Sequence, residues 1–190
     1  MGVSVTAFEG GARVERVVLA DGESLAADAV VVGIGVVPNV ELAEAAGIET
    51  DNGILVDEFC RTSAPNVYAA GDVTNHYNPL LDKRMRLESW QNAQNQAIAA
   101  AKVMCGGNEA FAEVPWLWSD QFDLNLQIAG AGGDKGETIS REGGDGFIIF
   151  QRAGRTLVGA IAVNRPRPLP AARTLRAIRP PVPTADSPSA

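Results

Sequence analysis

The run Val67 to Ala70 stops abruptly at Gly71-Asp72 inside the stretch T-S-A-P-N-V-Y-A-A-G-D-V-T at 62 to 74, and no other feature narrows the possible folds as much. Val67, Tyr68, Ala69 and Ala70 suit a buried strand, Gly71 lets the backbone pass close to a ligand, and Asp72 accepts hydrogen bonds from hydroxyls. A strand ending this way holds a carboxylate at its tip, which suits a polyol. In an open α/β sheet, ligands bind beyond the carboxyl ends of the strands, where Asp72 is expected. An isolated Gly-Asp is more commonly a turn or a helix N-cap, so the neighbouring segments must decide.

The bulk numbers exclude several classes. A chain of 190 residues has the length for one large domain or two small ones. With 46% hydrophobic and 21% charged residues it reads as globular. Sixteen Lys and Arg against 23 Asp and Glu give a formal charge of −7, which argues against a nucleic-acid or anionic-membrane binder. No apolar run is long enough to span a bilayer, and the opening M-G-V-S-V-T-A-F-E-G has neither a basic n-region nor a long apolar h-region. A cytoplasmic setting is expected. Cys60 and Cys105 form no C-x-x-C and read as buried or incidental thiols, while His76 is the only histidine and has no Cys/His cluster for zinc or a hydrolytic triad. Redox chemistry would need a borrowed cofactor.

Periodicity predicts the organisation. Residues 3 to 8 and 13 to 20 alternate as strands around Gly10-Gly11, ahead of a turn at Asp21-Gly22, and predict a small antiparallel meander. Ala29 to Gly35 is a continuous apolar run, the pattern of a strand covered on both faces. A short helix is expected over 40 to 46, closed by Gly47, followed by a β-segment at 53 to 56. After the Gly-Asp strand a polar loop is expected around Asn75, Asn78 and Pro79. A strong helix then runs from Ser89 to Cys105, with small residues at 93, 97, 100 and 101 and a stop at Gly106-Gly107. From Pro115 onward, β-like segments at 124 to 129, 146 to 150 and 156 to 163 predict an antiparallel second domain. The tail after Arg165 is proline-rich and is expected to be largely disordered.

Two glycine clusters mislead. Gly33-Ile34-Gly35-Val36-Val37-Pro38 lacks the third glycine of G-x-G-x-x-G, and the cluster at 130 to 136 lacks the spacing of a phosphate loop.

V-V-V-G-I-G-V-V-P-N at 30 to 39, G-I-L-V-D at 53 to 57, R-T at 61 to 62 and V-Y-A-A-G-D-V at 67 to 73 together resemble the two-dinucleotide-fold flavoprotein reductases. R-L-E-S-W-Q-N-A-Q-N-Q at 86 to 96 and P-W-L-W-S-D-Q-F at 115 to 122 narrow the resemblance to the NAD(P)H:ferredoxin reductases that serve oxygenases, with rubredoxin reductases as relatives. It covers about Val3 to Arg167. The resemblance implies an α/β chain: an incomplete FAD/NAD(P)-linked reductase fold with partial Rossmann-like domains, followed by a smaller α+β C-terminal domain. Residues 1–36 correspond to the end of the NAD(P)H-binding domain, 37–110 to the returning FAD-binding segment, 111–167 to the reductase C-terminal domain and 168–190 to the Pro-rich tail. A fragment of a longer reductase is therefore expected.

The implied cofactors are FAD and NAD(P)H, and the implied partner is a ferredoxin or rubredoxin-type electron acceptor. By resemblance Asp72 hydrogen-bonds the FAD ribityl chain, with Gly71 and Val73 bringing the backbone close. The helix opening at Ser89 aims free amides and its positive dipole end at the flavin pyrimidine edge. Trp90 adds to that contact and Trp118 packs near the isoalloxazine. Glu88 and Gly35 match positions near the nicotinamide, while Arg84 and Arg86 read as a solvated loop rather than a ferredoxin contact. No catalytic acid or base is expected. The alternative is a non-catalytic fragment, or an interaction module, that holds no FAD alone.

Overall fold

The computed structural model describes residues 2–130 and 136–165; all but the ends of the glycine cluster at 130 to 136, and the whole Pro-rich tail of 168–190, lie outside the described residues. The chain divides into two compact units between Val37 and Pro38.

The first unit is the expected meander. Strands β1 (Val5–Glu9), β2 (Arg16–Leu19) and β3 (Ser24–Ala26) pair antiparallel in that order. Gly10 is required sterically, since a Cβ there would fall 2.0 Å from the Arg13 carbonyl oxygen. Beside the turn, Arg16 Nε donates to Glu9 Oε2 at 2.7 Å.

The strand expected over Ala29 to Gly35 does not form. Val31 is 97% and Ile34 90% exposed, and no described strand pairs with this segment. An apolar run specifies a strand covered on both faces only if neighbouring strands and covering layers are present, and here the backbone has no ladder partner.

The second unit opens with the short helix α1 (Glu41–Ala45). It ends as expected at Gly47, whose φ of +70° lets Gly47 N–H and Ile48 N–H donate to Glu44 and Ala43 carbonyls, both at 2.9 Å. A three-stranded sheet follows, in the order β4 (Ile54–Val56), β5 (Thr74–Asn78), β6 (Lys83–Arg86). β4 runs parallel to β5, with Val56 opposite His76, and β6 returns antiparallel.

Two expectations are corrected here. Val67 to Ala70 is not a strand: it bends back on the preceding residues, with a lone bridge between Tyr68 and Arg61 and Ala69 N–H donating to Cys60 O at 3.2 Å. Thr62 closes that loop, its N–H and hydroxyl both donating to Val67 O at 3.0 Å. The ladder lies instead just beyond the Gly-Asp pair, in the segment expected to be a polar loop. Thr74, Asn75, His76 and Asn78 are buried there, and backbone carbonyls accept from both amide nitrogens. Asn78 Nδ2 donates to Glu113 O at 2.8 Å while its Oδ1 accepts from Leu80 N–H, and Asn75 Nδ2 donates to Asp51 O at 2.8 Å. Composition alone reads such a strand as solvated, because its partners come from distant segments.

Helix α2 (Trp90–Met104) begins at the N-cap Ser89, whose Oγ accepts from Asn92 N–H at 3.3 Å. Gly106, with φ +92°, ends it. Its buried face carries Asn92, Gln96, Ala100 and Val103, with Ala100 packing on Cys60 and Phe111.

The remaining described residues form a five-stranded antiparallel sheet in the order β7 (Trp116–Gln121), β8 (Leu124–Gly130), β11 (Thr156–Val163), β10 (Gly146–Ala153), β9 (Glu137–Gly143). The β-segments expected over 124 to 129, 146 to 150 and 156 to 163 all form, and they pair antiparallel. Its core is Ala129, Ile148, Leu157, Ala160 and Ala162, with Trp116 and Phe150 packed against it.

Burial pushes the pKa of His76 down to about 4, with the Arg84 guanidinium acting in the same direction and a backbone hydrogen bond at Met85 opposing them. The unfolded chain therefore takes up this proton first as pH falls, so the stability carried by neutral His76 is complete above pH ~6.5 and is lost down to pH ~4. The loss across that window is expected to be about 3 kcal/mol by urea unfolding, and His76→Gln should flatten it. An equally steep profile in the variant would assign the effect to other groups.

Candidate functional site

Sequence puts Gly71, Asp72 and Val73 in the link between a bent loop and strand β5, and a buried polar cluster fixes that link. Gly71 has φ +87°, a conformation that side-chain-bearing residues adopt only with strain. Thr74 N–H donates to Gly71 O at 3.0 Å, closing the turn around Asp72 and Val73. Gly71 N–H donates to Gln96 Oε1 at 2.8 Å. The Thr74 hydroxyl lies 2.8 Å from Gly71 O and 3.0 Å from Gln96 Oε1, so its single proton is shared between them. A Cβ on Gly71 would lie 3.6 Å from Ala93 Cβ, so the turn rests on α2. Asp72 sits at its exposed corner, and its carboxylate makes no hydrogen bond or ion pair with the described residues.

Glu88, Ser89, Trp90 and Trp118 meet at the start of α2. The first intrahelical bond runs from Ala93 N–H to Ser89 O at 3.0 Å, and Ser89 Oγ takes the Asn92 amide, which leaves Trp90 and Gln91 N–H without an intrahelical acceptor. Trp90, 68% exposed, meets Trp118 edge to face at 6.3 Å, and Trp118 stacks on Trp116 at 4.8 Å. A cavity of about 270 Å³ lies between Glu88, Ser89, Trp90, Leu117 and Trp118. A second, about 240 Å³, runs from Met85 and Leu87 past Glu88 to Trp116 and Ile128. A third of about 250 Å³, against Asn95, Lys102 and Phe111, contains none of the expected site residues.

Glu88 Oε1 pairs with Arg86 Nη1, and Oε2 is left for another donor. Arg84 and Arg86 lie in strand β6 rather than in the loop expected of them: Arg84 stays exposed while its Nη1 donates to Val56 O at 2.8 Å and to Asn75 O at 3.2 Å, and the Arg86 side chain is largely buried. Gly35 belongs to the first unit, where its φ is +94° and a Cβ would meet nothing within 4 Å.

Sequence reasoning missed Gln96 and Thr74, both 0% exposed. The signal was present in the helical spacing, because Asn92 and Gln96 fall on the same stripe as Ala100 and Val103. A wholly buried glutamine on an apolar face has to be hydrogen-bonding something specific.

The set of groups suits a flavin. An acceptor carboxylate free for hydroxyls stands on a fixed turn, two helix-start amides have no intrahelical acceptor, and aromatic rings border a cavity sized for one end of a planar ring system rather than a whole dinucleotide.

Residues 1–97 match the family model described as pyridine nucleotide-disulphide oxidoreductase, and residues 116–187 match the one described as reductase C-terminal. The anthranilate 1,2-dioxygenase system ferredoxin–NAD(+) reductase component of Burkholderia cepacia is 51% identical over 171 residues, which is 87% of this chain and 41% of that protein. The ferredoxin reductase for the CYP199A2 system of Rhodopseudomonas palustris superposes with a TM-score of 0.87 at 38% identity, over 95% of this chain and 46% of that one. The reductase in the covalent putidaredoxin reductase–putidaredoxin complex gives the same TM-score at 35% identity, over 95% and 44%. The chain thus spans about two-fifths of the length of its curated relative.

Gly71→Ala is expected to cost about 1–2 kcal/mol through its positive φ, and Ser89→Ala about 1 kcal/mol through loss of the cap, both read by urea unfolding. Cys60 is buried, and burial, with the Asp57 carboxylate adding to it, pushes its thiol pKa up to about 11. At pH 8 a thiol reagent should therefore titrate one group quickly, the exposed Cys105. Fast reaction of two thiols in the folded chain would contradict this burial.

Proposed function

The chain belongs to the pyridine nucleotide-disulphide oxidoreductase family, and from that premise we propose that it forms the flavin-embracing and C-terminal portion of an NAD(P)H:ferredoxin reductase. The observation that carries this reading is the Gly71–Thr74 turn, held rigidly against α2 while Asp72 stays free. On this reading residues 1–36 close the NAD(P)H-binding domain, 37–110 return to the FAD-binding domain and 111–167 form the C-terminal domain. A cytoplasmic setting is part of this proposal. No helix among the described residues is long and apolar enough to cross a membrane.

The site residues do physical rather than acid–base work. Asp72 accepts from hydroxyls of the FAD ribityl chain, and Gly71 and Val73 keep the backbone close enough for it to reach. The Trp90 and Gln91 amides, with the positive end of α2, favour negative charge on the pyrimidine side of the ring. Trp118 and Trp90 border that ring and limit water. Glu88, steadied by Arg86, offers Oε2 to a nicotinamide amide. When bound, FAD supplies hydride acceptance from NAD(P)H and one-electron release to a ferredoxin-type iron–sulfur partner.

The 190 residues alone are read as inactive, on the observation that Val31, Ile34 and Val37 stand almost fully exposed. The test accordingly joins the chain to the portion of the Burkholderia cepacia relative that it does not span. The complex should co-purify with FAD and reduce cytochrome c from NADH in the presence of a ferredoxin. Asp72→Ala should weaken FAD about 10- to 100-fold, the range for a lost hydrogen bond to a charged group. A folded wild-type complex without flavin or turnover would refute the proposal.

A further inference from the structure

We infer that Gln96 is the positioning residue of this site: through one side-chain oxygen it fixes the Gly71–Thr74 turn and so sets the direction in which Asp72 presents its carboxylate. The inference rests on the flavin reading above. Gln96 is wholly buried. Its Oε1 receives Gly71 N–H at 2.8 Å and shares the Thr74 hydroxyl at 3.0 Å, with Asn92 Nδ2 at 3.5 Å.

The orientation of the amide follows from these donors. Gly71 N–H can only donate, so reversing the Gln96 amide would set donor against donor. Nε2 is buried and has no partner among the described residues. Its oxygen is therefore the atom that holds the turn. Asn92 supports the same arrangement, since its Nδ2 also donates to Leu87 O at 3.3 Å.

Gln96 also lies on the helix whose first turn carries Ser89 and Trp90. An α-helix is stiff over this distance, so one hydrogen bond ties the Asp72 corner and the unpaired amides at the helix start to a single rigid element. Without it, the turn keeps its internal Thr74–Gly71 bond but loses its fixed relation to α2. Affinity for a ligand held from both sides should then fall although neither contact residue has changed.

The test uses the complex with the remainder of the relative and compares Gln96→Met, which removes the acceptor at similar volume, with Gln96→Glu, which keeps it. Gln96→Met is expected to speed amide exchange at Gly71 and weaken FAD, each by about ten-fold or more, while Gln96→Glu returns both to within about three-fold of wild type. Thr74→Val removes only the shared hydroxyl, so both readouts should move by about three-fold. A folded Gln96→Met with wild-type exchange and affinity would overturn the inference, as would a Gln96→Glu as impaired as the Met variant or a Thr74→Val unchanged in both. A wild-type complex that holds no FAD would refute the flavin reading, and the Gly71 exchange ratio would still decide whether Gln96 fixes the turn.

Discussion

One buried oxygen, Gln96 Oε1, joins the main helix of the second unit to the turn that opens strand β5. Much of the local order follows from it. The turn sets where β5 begins, β5 carries β4 on one side and β6 on the other, and β6 leads through Leu87 into the N-cap of the same helix. The path closes on itself, from helix to turn to sheet and back. Buried polar groups satisfied in this way act as locators, since any shift of one element leaves a donor without an acceptor in a dry interior.

Residue types whose meaning is local were legible in the sequence. Gly47 and Gly106 mark helix ends because a positive φ is needed there whatever surrounds them. Ser89 marks the start of α2, and alternation marks the β1–β2–β3 meander and the C-terminal sheet. The illegible parts are those whose partners lie elsewhere in the chain. Asn75 and Asn78 are polar yet buried, because Asp51 and Glu113 supply their acceptors. Ala29 to Gly35 and Val67 to Ala70 have the composition of inner strands, but such composition describes an environment and cannot create one.

The site divides in the same manner. Asp72, Ser89, Trp90 and Trp118, the groups assigned to the flavin in the proposal, stand in recognisable motifs. Gln96 and Thr74, which fix the Gly71–Thr74 turn, carry no motif and are visible only as polar residues on buried faces. Glu88 belongs to both classes, because Arg86 occupies one of its oxygens and leaves the other available.

The strand order of the C-terminal sheet bears on how it comes together. β7 with β8 is one hairpin and β9, β10 and β11 form a second run of neighbours, so each assembles from contacts close in sequence. The two halves join only when β11 meets β8 across the register from Gly159–Gly130 to Val163–Leu126. Until the ribosome has released β11, β8 presents a bare edge, and Ala129 in the core waits for Ala160 and Ala162. Synthesis therefore leaves an interval in which the β8 edge stands open, and edge-to-edge pairing between nascent chains is the competing outcome.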